Sequence, residues 1–152
     1  MTLEDAVTTR EETSAPARVG LVLVSHSARI AEGVAELVRE LGGEEVPVEA
    51  AGGLPDGGLG TSSELIEQAV RAADRGAGVV VLADLGSAVL TVKLLLDGED
   101  DAGDPPVLSA TAMLADAPLV EGAVSAAVAA ASGADARTVL AAAEEARDYR
   151  KL

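Results

Sequence analysis

The stretch Val19–Val24 (V-G-L-V-L-V) is apolar without alternation and runs straight into the polar turn Ser25-His26-Ser27. A strand with one wet face shows period-2 patterning, whereas an unbroken run of this kind suits a strand covered on both faces, as in a parallel sheet. Parallel neighbours need long crossover connections, which restricts such a chain to an α/β architecture. Val79–Ala83 (V-V-V-L-A) has the same character and ends in Asp84-Leu-Gly-Ser87. Both polar turns then belong at the carboxyl edge of the sheet, where open α/β folds gather their chemistry.

The intervening segments read as helices and weaker strands. Ile30, Val34, Leu37, Val38 and Leu41 recur at spacings of three and four, predicting a buried helix face that ends at Gly42-Gly43. Val46–Ala51 predicts a strand, with Pro47 favouring an early or edge position. After the glycine-rich run Gly52–Gly60, the residues from Thr61 to Glu64 (T-S-S-E) fit a capping box. They open a helix that buries Leu65, Ile66, Ala69, Val70 and Ala73. Val89, Val92, Leu95 and Leu96 mark a further helix, and residues 98–106 an acidic loop. Val107–Leu114 predicts a fourth strand. A helix starts around Asp116 and Pro118 and runs to Ser132-Gly133, and Asp135 caps a last one with Val139, Leu140 and Ala143 inward. The expected fold is α/β: an open, mostly parallel sheet of four or five strands with helices on both faces. It would occupy residues 19–152 as one domain, behind a solvated, disordered acidic tail at 1–18.

Composition narrows the classes of function. Phe and Trp are absent and Tyr149 is the only aromatic, so Val, Leu and Ala must fill the core. That favours close helix–sheet packing over a wide pocket for a large apolar cofactor. The absence of cysteine removes disulfides, thiolate metal sites and thiol nucleophiles, and a single histidine argues against a His-rich zinc site. A formal net charge of −15 argues against nucleic acid and anionic membrane surfaces as partners. The N-terminal residues lack the basic and apolar regions of a secretory signal. The alanine-rich stretch after Pro118 is interrupted by Glu121, Gly and Ser, so no membrane segment is expected and the expected location is the cytoplasm.

His26 carries the chemical interest. Imidazole, with a pKa near ~6.5, has a large neutral fraction at neutral pH and can attack without a strong base. One ring nitrogen must keep its proton while the other presents a lone pair. Asp84, at the end of a neighbouring strand, is the best-placed carboxylate to hold that proton. If the electrophile is a phosphoryl group, its equatorial oxygens need donors. The amides opening the helix after Ser27 and the hydroxyls of Ser25, Ser27, Thr61 and Ser87 can supply them. Plainer readings exist for each residue: a structural histidine, Asp84, Thr61 and Ser87 as helix caps, Gly52, Gly53 and Gly57 as turn residues. Residues 52–60 lack the Gly-Lys-Ser/Thr ending of a P-loop, so no separate nucleotide site is expected there.

Five motifs in order, V-S-H-S-A-R (24–29), G-L-G-T-S-S (58–63), D-L-G-S-A (84–88), A-P-L-V-E-G (117–122) and A-S-G-A-D (131–135), carry a resemblance. Over roughly Val19 to Ala146 the chain resembles the phosphotransferase subunit of phosphoenolpyruvate-dependent dihydroxyacetone kinase. That subunit is similar to the mannose-family IIA domain of the bacterial sugar phosphotransferase system. The resemblance implies a homodimer and a histidine that takes phosphate from the phosphocarrier protein HPr. It implies transfer onward to ADP on a second kinase subunit, which phosphorylates dihydroxyacetone held by a third, with no metal or cofactor resident on this chain. His26 matches the phosphorylated histidine, Asp84 the carboxylate partnering its ring, and Gly60-Thr61 and Gly86-Ser87 the loops lining the site. Some members carry an HPr-like domain after this one; ending at Leu152, this chain is expected to use HPr in trans. Two other roles share the chemistry: the IIA component of a mannose-type sugar importer, and a regulatory module controlled by phosphohistidine.

Overall fold

Both apolar runs are strands in the computed structural model, which describes residues 16–98, 108 and 110–152. Strands β1 (Gly20–Ser25), β2 (Val48–Gly52), β3 (Val79–Ala83) and β4 (Ala112–Leu114) form one sheet in the order β2-β1-β3-β4, with every pairing parallel. The helices are α1 (Ala28–Gly42), α2 (Ser63–Ala73), α3 (Gly86–Asp97), α4 (Leu119–Ala131) and α5 (Ala136–Glu145), followed by a 3₁₀ turn at Ala146–Asp148. The central strands are buried along their whole length. Leu21, Leu23, Val80 and Leu82 face the layer made by α1, α4 and α5, while Val22, Val24, Val79, Val81 and Ala83 face α2 and α3. This two-sided burial is the physical reason the sequence of β1 and β3 does not alternate.

Several boundaries and faces differ from the sequence reading. On α1 the buried stripe is Ala31, Val34, Ala35, Val38 and Gly42, whereas Ile30, Leu37 and Leu41 are exposed. The small residues win the inner face because α1 packs against both the sheet and α4, and bulkier side chains would hold the layers apart. The cap of α2 is Ser62, whose hydroxyl accepts from the Leu65 amide at 3.2 Å, so the helix starts one residue later than a Thr61 cap requires. Among the described residues the fourth strand spans Ala112–Leu114, and the Leu108 carbonyl accepts from the amides of Thr111 and Ala112 in a turn just before it; Val107 and Ser109 of the expected strand lie outside the described residues. Pro47 lies just before β2, at the sheet edge. Asp135 caps α5 through Thr138, as its position suggests, at 2.9 Å. Most of the acidic tail and loop, residues 1–15 and 99–107, lies outside the described residues.

Two glycines set how closely the layers approach the reactive edge. A Cβ on Gly52 would meet the Ser27 carbonyl at 2.6 Å and the Ala28 Cα at 2.7 Å, so glycine lets the start of α1 press against the end of β2. A Cβ on Gly122 would fall 2.8 Å from Leu82 and 2.9 Å from Ala117, which explains the last residue of the A-P-L-V-E-G motif as a packing requirement. Glu121, beside it, pairs with Lys151 at 3.1 Å. Among the described residues, no helix is long and apolar enough to cross a membrane.

Candidate active site

β1 and β3 are neighbours, with Val24 opposite Ala83, so the chain leaves the sheet at Ser25-His26 and at Asp84 side by side. Parallel strands send both turns off the same edge, and residues 58 apart in sequence meet there. The Asp84 amide donates to the Val24 carbonyl at 3.1 Å, the Gly53 amide to Ser25, and the Gly60 amide to His26 at 2.9 Å. Backbone bonds therefore tie the His26 turn to β3 and to the glycine-rich loop before any side chain is considered.

Asp84 is the hub. Its Oδ1 lies 2.9 Å from His26 Nδ1 and accepts from the Leu85 amide at 2.7 Å. Its Oδ2 accepts from the Ser25 hydroxyl at 2.8 Å and from the His26 amide at 3.1 Å. Partial burial pushes the carboxyl pKa up, but donation from the Ser25 hydroxyl, the His26 ring, the His26 amide and the Leu85 amide outweighs it and holds the pKa below its ordinary value. An ionised carboxylate only accepts, so Nδ1 carries the ring proton and Nε2 presents its lone pair. Nε2 faces the Ser87 hydroxyl in the first turn of α3. The His26 side chain is 25% exposed, enough for one ring edge to be reached from outside.

The surrounding donors divide into committed and available groups. The Ser27 hydroxyl accepts from the Ile30 amide and caps α1. Ser87 does not cap α3: the N-cap of that helix is Leu85, which offers no side-chain cap, so its first-turn amides have no such partner. A side chain at Gly86 would meet open space. The Thr61 hydroxyl is buried without a hydrogen-bond partner, next to the Gly60 amide that anchors His26. Sequence reading named His26, Asp84, Ser25, Ser27, Gly60, Thr61, Gly86 and Ser87. It missed the amides of His26 and Leu85, whose only signal is their adjacency to the histidine and aspartate. Among the described residues, no group of three His, Cys, Asp or Glu side chains is arranged to hold a metal ion.

Residues 20–140 match the family described as PTS system fructose IIA component. A phosphoryl donor subunit DhaM of PEP-dependent dihydroxyacetone kinase 2 from Listeria innocua is 37% identical over 110 residues, covering 72% of this chain and 84% of that protein. The DhaM subunits of Pantoea ananatis and Escherichia coli are 41% and 38% identical over 80% of this chain, but the match spans only 25% of each of those longer proteins. The crystal structure of EF1359, a protein of unknown function, superposes with a TM-score of 0.73 at 34% identity, covering 89% of this chain and 98% of that one. A sigma-54 interaction domain protein from Enterococcus faecalis, 15% identical with a TM-score of 0.58, shares the fold. The chain belongs to the PTS IIA family of this type, and within it to the phosphoryl donor subunits of PEP-dependent dihydroxyacetone kinase.

Proposed function

We propose that this chain is a phosphoryl relay protein: His26 accepts a phosphoryl group from phospho-HPr and passes it to ADP bound on the nucleotide-binding subunit of a dihydroxyacetone kinase. The observation that carries this reading is the 2.9 Å contact between Asp84 and Nδ1, which leaves Nε2 as the nucleophile beside an uncapped helix N-terminus. In the first step the Nε2 lone pair attacks phosphorus, the N–P bond forms, and the bond from phosphorus to the donor breaks with its electron pair leaving on the donor. Positive charge developing on the ring is offset by Asp84. The Ser87 hydroxyl turns from Nε2 to an equatorial oxygen, joined by the α3 amides and the Thr61 hydroxyl. In the second step an oxygen of the ADP β-phosphate attacks, the N–P bond breaks, and the pair returns to Nε2. The protein thus acts as a phosphotransferase subunit through a phosphohistidine intermediate, with no nucleotide or metal of its own.

The same reading has the protein work in the cytoplasm as a homodimer. Helix α3 supports self-association: Val92 and Leu96 are buried, yet Leu90 and Leu94 on its other side are 64% and 71% exposed, beside the edge strand β4. A helix apolar on both sides calls for a second covering surface.

Incubation with phosphoenolpyruvate, enzyme I and HPr should place acid-labile phosphate on the chain, and label that persists in His26→Ala sinks the assignment. A sugar-importer IIA component is favoured by the description of the matching family. Transfer from the phosphorylated chain to an ADP-loaded kinase subunit, and not to a permease subunit, separates the two. Phosphorylation-dependent binding to another protein without such transfer identifies the regulatory role.

A further inference from the structure

Ser25 is the one polar residue buried as a whole among the described residues, at 1% exposure. Its hydroxyl has two partners: it accepts from the Ser27 amide at 3.1 Å and donates to Asp84 Oδ2 at 2.8 Å. An amide can only donate and a carboxylate only accept, so the hydroxyl proton has a single direction. We propose that Ser25 is a positioning residue that fixes the plane of the Asp84 carboxylate, and through it the tautomer of His26, and that it makes no contact with the phosphoryl group. The proposal rests on the reading of His26 as phosphoryl acceptor.

The carboxylate can turn about its Cβ–Cγ bond, and four donors oppose that turn, two on each oxygen. Without the serine hydroxyl, Oδ2 keeps only the His26 amide. The Ser27 amide also loses its partner at a position closed to replacement water. The competing tautomer would place the ring proton on Nε2, donating to Ser87, and would turn a bare Nδ1 lone pair toward Asp84. That arrangement is repulsive only while Oδ1 is held against Nδ1. Ser25, bonded to Oδ2, helps the Leu85 and His26 amides hold it there. Removing the hydroxyl frees the carboxylate to turn and opens the tautomer in which Nε2 cannot attack.

The test uses the intact chain with Ser25→Ala, which removes the hydroxyl, and with Ser25→Cys, which keeps a slightly larger heavy atom in its place but donates weakly. Because the chain has one histidine, its ring ¹⁵N resonances need no assignment. At about pH 8, above the ordinary histidine pKa of ~6.5, the wild type should show the Nδ1–H tautomer alone and both variants a mixture. Their rate of phosphorylation at saturating phospho-HPr should fall about 10- to 100-fold, the scale seen when an outer partner that orients a metal-ligating histidine is lost, with the KM for phospho-HPr unchanged. Variants that keep the wild-type tautomer and rate, or lose only apparent affinity for HPr, overturn the proposal. If the wild type takes no label, the relay reading fails by itself, and the tautomer measurement still decides the role of Ser25.

Discussion

The His26 ring is given direction by Asp84, whose carboxylate accepts from four donors. Asp84→Asn offers an amide that can donate to Nδ1 and so favours the unreactive tautomer. We expect phosphorylation to slow by about 10²–10⁴-fold while the fold survives; a serine-protease triad loses activity on the upper part of that scale when its aspartate is changed in this way. The same donors keep Asp84 ionised below its ordinary pKa of 3.8. A depressed carboxylate contributes stability that is present above its unfolded pKa and lost as pH falls through its folded value. The difference in urea midpoint between wild type and Asp84→Asn should therefore shrink as pH falls below 3.8. Thr61 separates stability from chemistry. Thr61→Val removes a buried hydroxyl that has no partner, so it should leave the urea midpoint unchanged or raised while slowing phosphorylation. Ser62→Ala, which removes the true cap of α2, should cost about 0.5–2 kcal/mol in the same denaturation and leave the rate alone.

At the scale of elements, the strands were legible and the helix faces less so. Unbroken apolar runs have one economical explanation, burial on both sides of a parallel sheet, and β1 and β3 lie close to their expected limits. The face of α1 was misjudged because hydrophobic periodicity weights Ile30, Leu37 and Leu41 by size, whereas packing selected alanine and glycine for the tight inner contact. The Thr61 cap was misplaced by one residue because the consecutive residues Thr61, Ser62 and Ser63 offer equivalent hydroxyls, and only the chain path from Gly60 decides among them. Close packing of α4 on β3 gives a test of its own. Gly122→Ala would overpack against Leu82 and Ala117, and should destabilise the protein by about 1–3 kcal/mol in equilibrium denaturation.

Over the whole molecule, the sequence carried the convergence of His26 and Asp84 because parallel topology forces both turns to one edge, but the order of strands had to come from three dimensions. Neighbouring positions for β1 and β3 are what turn two polar loops into one site. The self-association proposed for α3 predicts that Leu90→Lys with Leu94→Lys converts a dimer to a soluble monomer in sedimentation velocity; a wild type that sediments as a monomer at micromolar concentration rejects it. The pairing of Val24 with Ala83 has one more consequence. Slipping a parallel strand by two residues preserves which side chains face each layer, so burial and helix content would barely register the error. It would, however, move Asp84 by about 6.6 Å relative to His26, far outside hydrogen-bond reach. Under the proposed relay function, competence to take up phosphate would therefore also gauge strand alignment, distinguishing a correctly threaded sheet from a misthreaded one that spectroscopy would score as folded.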